Sequence, residues 1–288
     1  MVSKRNLPTL IRIFSYSILA ITFVFLVNNV LTVWFEWPGI KKLFSHYGLF
    51  GFKKLSKPLE DSILTYSYIQ LFLYFISILF AVFYVFKSIK QTLETDAEIL
   101  TNFTAYIIRS SFWAVFIVGL ADLLVSFMVV EKLVEPIFGE YLKIKLVVPS
   151  FRITYIHFPI ILFSFVIGYF TRTVGFIWLA VLVVGSEFFI VISRFIFEYE
   201  QAFQGDLVRF WYSALYLFAS AYALMHEGHV RVDVLYTGFS ERKKAWTNSV
   251  GSLLLGIPLC LIVLFLGMGG KASIINGPVI SFEITQQG

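Results

Sequence analysis

No charged residue interrupts YSYIQLFLYFISILFAVFYVF, the segment from Tyr66 to Phe86. A helix of about 20 apolar residues is long enough to cross the roughly 30 Å hydrocarbon core of a bilayer. The segment also lacks the alternation of apolar and polar residues that is typical of barrel strands. We therefore predict that it forms a transmembrane helix.

Similar apolar stretches lie on both sides of this segment, and together they predict an all-α, polytopic membrane protein with about seven transmembrane helices. Arg109 and Asp122 lie within the third predicted span, and Pro159 lies within the fourth. Proline is tolerated in a membrane helix when neighbouring groups satisfy the carbonyl that it leaves free. The predicted spans are Leu10–Phe35, Tyr66–Phe86, Phe103–Val130, Ile153–Phe170, Val174–Phe197, Leu207–Met225 and Ser249–Met268.

Composition supports the membrane prediction. Hydrophobic residues make up 58% of the 288 residues and charged residues only 14%, whereas about a quarter of the residues of a soluble domain are charged. The net charge is +5, but most basic residues stand between apolar stretches, where they set topology and meet lipid headgroups. This placement argues against nucleic-acid binding. The single cysteine, Cys260, excludes a disulfide within the chain and is predicted to be a buried small hydrophobic residue.

The segment at residues 38–60 mixes aromatic and aliphatic residues with lysines. This mixture predicts a helix or helical hairpin that lies in the membrane interface, with its lysines at the headgroups. A disordered basic loop is the alternative. The lysines are Lys41, Lys42, Lys53, Lys54 and Lys57.

Loop charges predict the orientation. The segment His226–Trp246 contains several basic residues, whereas Glu198–Asp206 contains none. The positive-inside rule therefore places His226–Trp246 in the cytoplasm. Counting spans backward places the N-terminus inside as well, which agrees with Lys4, Arg5 and Arg12. The lysines of residues 38–60 would then lie outside, against the rule, unless that segment lies flat in the interface.

The charged residues within or at the edges of predicted spans include Asp122, Glu187, Arg194 and Arg209. Such residues are costly in lipid and usually face protein or water. Arg194 follows Glu187 by two helical turns, so both lie on one face, and Asp206 stands beside Arg209 at the start of the next helix. We interpret these side chains as ties between helices or subunits, with ion coupling through the carboxylates as the alternative. Asp122 has no obvious local partner.

Residues of the kind that carry chemistry are sparse. His226 and His229 are three residues apart, but they lie at a predicted membrane edge and no Cys-His cluster of zinc spacing accompanies them. The sequence contains no nucleophile–base constellation and no phosphate-binding glycine loop. We therefore predict no catalytic, cofactor-binding or metal-binding residues, and no enzyme activity.

From about Phe176, ordered motifs resemble the small permease subunit, the DctQ family, of tripartite ATP-independent periplasmic (TRAP) transporters. The matching motifs are Arg194-Phe195-Ile196-Phe197, then Asp206 with Arg209, then His229-Val230-Arg231-Val232-Asp233, then Ser281-Phe282-Glu283. The resemblance divides the chain into a DctQ-like core at residues 173–288 and an extension of about four helices at residues 1–172. Family members typically have four core helices, so we expect the fourth to be absent or truncated here.

The resemblance implies a membrane scaffold subunit in a bacterial inner membrane. Its partners would be a large permease subunit that imports a small organic acid by an ion-driven elevator motion, an extracytoplasmic solute-binding protein, and membrane lipid. His229, Arg231 and Asp233 would then contact the partner or organise the cytoplasmic turn. One alternative is a self-contained secondary transporter or channel that uses Asp122 and Glu187. Another is a haem-bearing redox subunit that uses His226, His229 or His157.

Overall fold

The computed structural model describes residues 6–172, 176–225, 234 and 236–277. All regular secondary structure within those ranges is helical, which confirms the all-α prediction. The helices are α1 (Asn6–Trp34), α2 (Gly39–Tyr47), α3 (Asp61–Lys87), α4 (Leu93–Val130), α5 (Val134–Phe138), α6 (Glu140–Leu146), α7 (Pro149–Arg152), α8 (Phe158–Phe170), α9 (Phe176–Phe197), α10 (Ala202–Met225), α11 (Glu241–Gly251) and α12 (Ile257–Gly267).

Six helical segments of the described chain are long and apolar enough to cross a membrane. They correspond to six of the seven predicted spans, and the exception is α10. That helix is continuous over 24 residues, but polar side chains recur along it and lower its hydropathy. The six segments are Leu7–Trp34, Asp61–Lys87, Leu93–Val130, Ser150–Phe170, Ile177–Phe197 and Glu241–Gly267.

Two π turns allow membrane helices to continue through prolines. The turns, Ile153–His157 and Ser252–Gly256, stand directly before Phe158-Pro159 and Ile257-Pro258. A proline ring lacks an N–H and clashes with the carbonyl four residues earlier. The wider hydrogen-bond spacing of a π turn relieves that clash without ending the helix. Pro159 is therefore accommodated within one span, as predicted.

The chain divides into two compact units, one of Met1–Ala97 with Phe239–Val279 and one of Glu98–Gly238 with Ile280–Gly288. The division predicted at residues 172/173 follows the family resemblance rather than compactness, and it stays a prediction.

In the first unit, α1 packs against α3 around a buried polar cluster. The Asn28 side-chain amide donates to the Gln70 carbonyl at 3.2 Å, and the Gln70 side-chain amide donates to Thr32 Oγ1 at 3.1 Å. The backbone N–H of Gly39, the first residue of α2, donates to Gln70 Oε1 at 2.8 Å. Gln70 is fully buried, so its pairing avoids the cost of an unsatisfied amide in an apolar setting. These bonds fix the start of α2 against α3.

Arg12 is another buried residue that links helices of this unit. Its side chain is 3% exposed and forms an ion pair with Asp96 at the start of α4. It also donates to the Ser88 carbonyl at 2.8 Å. Arg12 therefore links α1 to the connection between α3 and α4, a structural role in addition to its predicted role in topology.

The residues after α12 join the C-terminal end of α1. Asn29 donates its side-chain amide to the Met268 carbonyl at 2.7 Å, and Lys271 lies 2.9 Å from the Glu36 carboxylate. The hydrogen-bonded Lys271 ammonium lowers the pKa of Glu36 below its ordinary value. This exposed tie is therefore present at neutral pH and is lost as the pH falls through the lowered pKa of Glu36.

In the second unit, α8 and α10 pack against α4. Gly119 of α4 lies against the Trp211 ring of α10, and the Trp211 indole N–H donates to the Val115 carbonyl at 3.2 Å. On α8, Gly168 lies against the backbone of Ser110 in α4. Gly168 allows the close backbone approach that is typical of membrane helix pairs, whereas Gly119 leaves room for the Trp211 side chain.

We expect Gly168→Ala to destabilise this unit. A Cβ at Gly168 would stand 2.9 Å from the backbone N and Cα of Ser110, closer than real Cβ contacts, so the two helices must separate. Overpacking of this kind costs about 1–3 kcal/mol. Thermal unfolding of the purified protein in mild detergent measures the loss. Gly185→Ala is the matched control because nothing lies within 4 Å of its Cβ position; equal melting of the two variants would contradict the close crossing.

Tyr199, which follows α9, is expected to ionise at a higher pH than an ordinary tyrosine. Its hydroxyl donates to Glu131 at 2.7 Å. Burial, together with this hydrogen bond to Glu131, raises the pKa of Tyr199 to about 12. The folded state thus favours the protonated phenol, and this contribution to stability is lost as the pH rises from about 10 towards 12. The difference in tyrosinate absorbance between wild type and Tyr199→Phe should appear near pH 12; a midpoint near pH 10 would contradict the contact.

Candidate subunit-contact surface

Helices α9 and α10 pack against each other and are joined by a short connection. Leu179 is fully buried, and Ser186 and Ser193 are buried on the same side of α9. Both serine hydroxyls bond back to carbonyls of their own helix, at 2.8 Å each. Their small, internally satisfied side chains allow close packing. Because α9 is a membrane-spanning candidate, its packed neighbour α10 lies at membrane depth.

Helix α10 exposes polar groups that are costly against lipid. Its buried side is apolar and includes Leu207, Trp211 and Ala214, with Trp211 only 3% exposed. Its exposed side includes the apolar residues Phe210 and Leu217 as well as four polar residues, Arg209, Ser213, Tyr216 and Ser220. These four positions follow the spacing i, i+4, i+7, i+11 of a single helix face. We call them the α10 polar stripe.

The α10 polar stripe is open to further contacts. The Arg209 side chain is 76% exposed and lies 3.7 Å from Asp206, which is too long for a hydrogen bond. The Ser213 and Ser220 hydroxyls donate to carbonyls one turn earlier, so each oxygen can still accept. Tyr216 is 72% exposed. A stripe that bears a cation and hydroxyls is costly against hydrocarbon, which indicates that protein or water covers it.

Glu187 and Arg194, which the sequence predicts to be ties on α9, form no ion pair with each other. Arg194 lies 3.3 Å from Glu200, and both side chains are more than half exposed. Glu187 is exposed near the middle of α9 and forms no hydrogen bond or ion pair within the described part of the chain. The structure therefore pairs Arg194 with Glu200 and not with Glu187. A carboxylate at this depth is costly unless a donor from outside the described residues meets it.

Asp122 has partners that sequence reasoning missed. Its Oδ1 lies 3.3 Å from Arg152 Nη1 and 3.2 Å from His157 Nε2. Arg152 also donates to Ser126 Oγ at 3.0 Å. In an α-helix, residues five apart point in different directions, but the π turn at Ile153–His157 brings Arg152 and His157 to the same side. Asp122 is thus one member of a half-buried charged cluster between α4 and the segment, α7 with its π turn, that leads into α8.

This cluster does not have the form expected of an ion-coupling site. Arg152 supplies a permanent positive charge beside Asp122 and is itself mostly buried. Direct contacts with Arg152 and His157 give the Asp122 carboxylate partners on a neighbouring segment of the chain. The arrangement is that of a tie between helices.

Other predicted residues fall in different places. His226, His229, Arg231 and Asp233 lie outside the described residues, as do Lys4, Arg5 and the Ser281-Phe282-Glu283 motif. The prediction that Cys260 is buried is wrong: it is exposed, on a helix with no buried residue. An apolar stretch in a membrane protein can face lipid, so apolar surroundings in sequence do not imply burial. The described ranges contain no group of three or more His, Cys, Asp or Glu residues that could hold a metal ion.

Comparison with known proteins identifies the C-terminal region. Residues 183–281, about a third of the chain, match the family model described as tripartite ATP-independent periplasmic transporters, DctQ component. No curated protein and no solved structure matches the chain. The matched range contains α10, its polar stripe and most of α9, so the resemblance seen in the sequence is confirmed there. Over residues 183–281, this membrane protein is therefore similar to the DctQ component of TRAP transporters.

Proposed function

We propose that this chain is the small, non-catalytic membrane subunit of a TRAP transporter and supports a large permease subunit. The α10 polar stripe is the observation that carries the proposal. A membrane helix that exposes a cation and several hydroxyls along one face is best covered by a protein neighbour. Within a tripartite transporter, the large subunit is the membrane partner that can supply one.

Contacts on α9 extend the proposed surface. Glu187 needs a hydrogen-bond donor, and Arg194 with Glu200 presents an exposed charge pair near the end of the helix. Asp206 and Arg209 stand at the start of α10, next in sequence to that end of α9. His229, Arg231 and Asp233 are proposed to contact the partner or to organise the turn that follows α10.

The wider role follows from the family. The complex would import a small organic acid across a bacterial inner membrane, driven by an ion gradient, with solute delivered by an extracytoplasmic binding protein. The contacts of Asp122 with Arg152 and His157 support the scaffold role, because they give this carboxylate a structural part rather than a part in ion coupling. Residues 1–172 are proposed to widen the scaffold.

Reconstitution by omission tests this function. We expect ion-driven solute uptake into proteoliposomes only when this chain, the large subunit and the binding protein are all present. The solute can be chosen by thermal-shift screening of organic acids against the binding protein. Uptake by this chain alone would assign the transport path to it, and full uptake without it would remove the scaffold role.

A further inference from the structure

The connection between α1 and α3 carries positive charge that nothing in the described chain neutralises. No Asp or Glu occurs from Pro38 to Leu59, whereas five lysines do. Lys41 donates to the Gly269 carbonyl at 2.8 Å. The other four are exposed and form no hydrogen bond or ion pair within the described residues: Lys42, Lys53, Lys54 and Lys57.

The connection has a fixed structure rather than that of a loose loop. Leu43 of α2 is buried, and α2 packs against α3. The Leu55 N–H donates to the Ser45 carbonyl at 3.0 Å, and the Leu59 N–H donates to His46 Nδ1 at 3.2 Å. These bonds close the segment after α2 back onto α2, so the lysines that follow are presented from a defined surface.

An aromatic residue stands at the tip of this structure. Phe50 is 81% exposed and has a φ of 53°, in the left-handed region. That conformation is unfavourable for a bulky residue, because its Cβ approaches the following carbonyl oxygen. Gly48 and Gly51 also have positive φ and form the turn around it. Leu49 and Phe52 are exposed beside it. Three apolar side chains are thus exposed next to the lysines, and the rings of Phe50 and Phe52 also contact Phe44 of α2, with centroids 4.9 and 5.9 Å apart.

The tip lies at a membrane edge because both of its flanking helices are membrane-spanning candidates. Trp37 and Tyr66 contact each other at those helix ends, with ring centroids 4.8 Å apart. Trp and Tyr are enriched at the membrane–water interface. At that depth an apolar tip reaches the acyl chains, while lysine stems carry their ammonium groups to the headgroups.

We propose that residues 48–57, together with Lys42 of α2, form a binding surface for anionic phospholipid. Leu49, Phe50 and Phe52 insert into the acyl boundary, and the four unpaired lysines bind headgroup phosphates. Exposed aromatic side chains beside unneutralised lysines favour lipid over an acidic protein, because a lipid supplies both the apolar phase and the anion. Each lysine near an anionic surface contributes about fivefold to binding. This surface does not depend on the proposed scaffold function.

Fluorescence quenching tests the insertion. The chain has one cysteine, so Cys260→Ser provides a background for a single label at Phe50→Cys. The labelled full chain is reconstituted in phosphatidylcholine vesicles with or without phosphatidylglycerol. We expect quenching by nitroxide-bearing phospholipid, protection from aqueous iodide, and stronger lipid quenching with phosphatidylglycerol. A label at exposed Glu94→Cys is the matched control and should be quenched by iodide.

Replacement of the lysines tests whether they bind the anionic headgroups. Changing the four lysines to glutamine should lower phosphatidylglycerol retained per chain, measured by native mass spectrometry, by at least about fivefold, and arginine at the same positions should restore it. Iodide quenching at position 50 in both vesicle types would overturn the proposal. So would unchanged lipid retention in the glutamine variant. Protection from iodide that appears only on adding the solute-binding protein would also overturn it and assign the surface to that protein.

Discussion

Replacing Arg209, Ser213 and Tyr216 together with leucine is expected to separate this chain from its large permease partner while leaving the chain inserted and folded. The change turns the α10 polar stripe into a lipid-like face and removes the exposed cation of the helix. Truncating one member of a desolvated charge pair at an interface costs about 2–5 kcal/mol. Co-purification in mild detergent should fall at least tenfold, which corresponds to about 1.4 kcal/mol.

Two further variants sharpen this result. Phe80→Leu changes an exposed apolar residue of α3 in the first unit and should leave co-purification unchanged. Arg209→Lys keeps the charge but removes the forked geometry of the guanidinium, so its effect should fall between those of wild type and the triple variant. Recovery of the triple variant with its partner at the wild-type level would contradict a contact through this face.

Replacing Arg152 with methionine should cause the largest loss of stability. It leaves the Asp122 carboxylate half-buried with only His157 beside it. Removing one partner of a buried ion pair costs about 3–5 kcal/mol, because the remaining charge is uncompensated. We expect a markedly lower melting temperature in detergent and a lower membrane yield.

The second change, Asp122→Asn in the Arg152→Met background, should recover much of that stability by removing the orphaned charge. Arg172→Met is the matched control, since Arg172 is exposed and forms no hydrogen bond or ion pair within the described residues. Its effect should stay within about 0.5 kcal/mol. If Arg152→Met melted like Arg172→Met, the cluster would not hold α4 to the segment that leads into α8.

Spans could be predicted from the sequence because their signal is local. Hydropathy over about 20 residues depends on no distant contact, and six of the seven predicted spans coincide with membrane-spanning candidates. The polar residues of the α10 polar stripe are also recognisable in the sequence, at positions 209, 213, 216 and 220. The sequence does not tell whether this face of α10 is buried or exposed, and the packing of Trp211 against the protein shows that it is exposed.

Partners of charged residues could not be predicted because they depend on tertiary packing. Asp122 meets Arg152 and His157, which lie 30 and 35 residues away and share a side only because of a π turn. Glu187 and Arg194 lie on one helix face in sequence, yet Arg194 pairs with Glu200 beyond the helix end. Helical spacing indicates which residues share a face, but not which of them meet.

Site-specific photocrosslinking tests the central claim most directly. A photoreactive residue at Tyr216 should form an adduct with the large subunit when both are co-expressed, whereas the same residue at Phe80 should crosslink to lipid alone. An adduct from position 216 would place the partner on the α10 polar stripe. Lipid adducts alone from position 216, in a complex that still imports solute, would contradict the account.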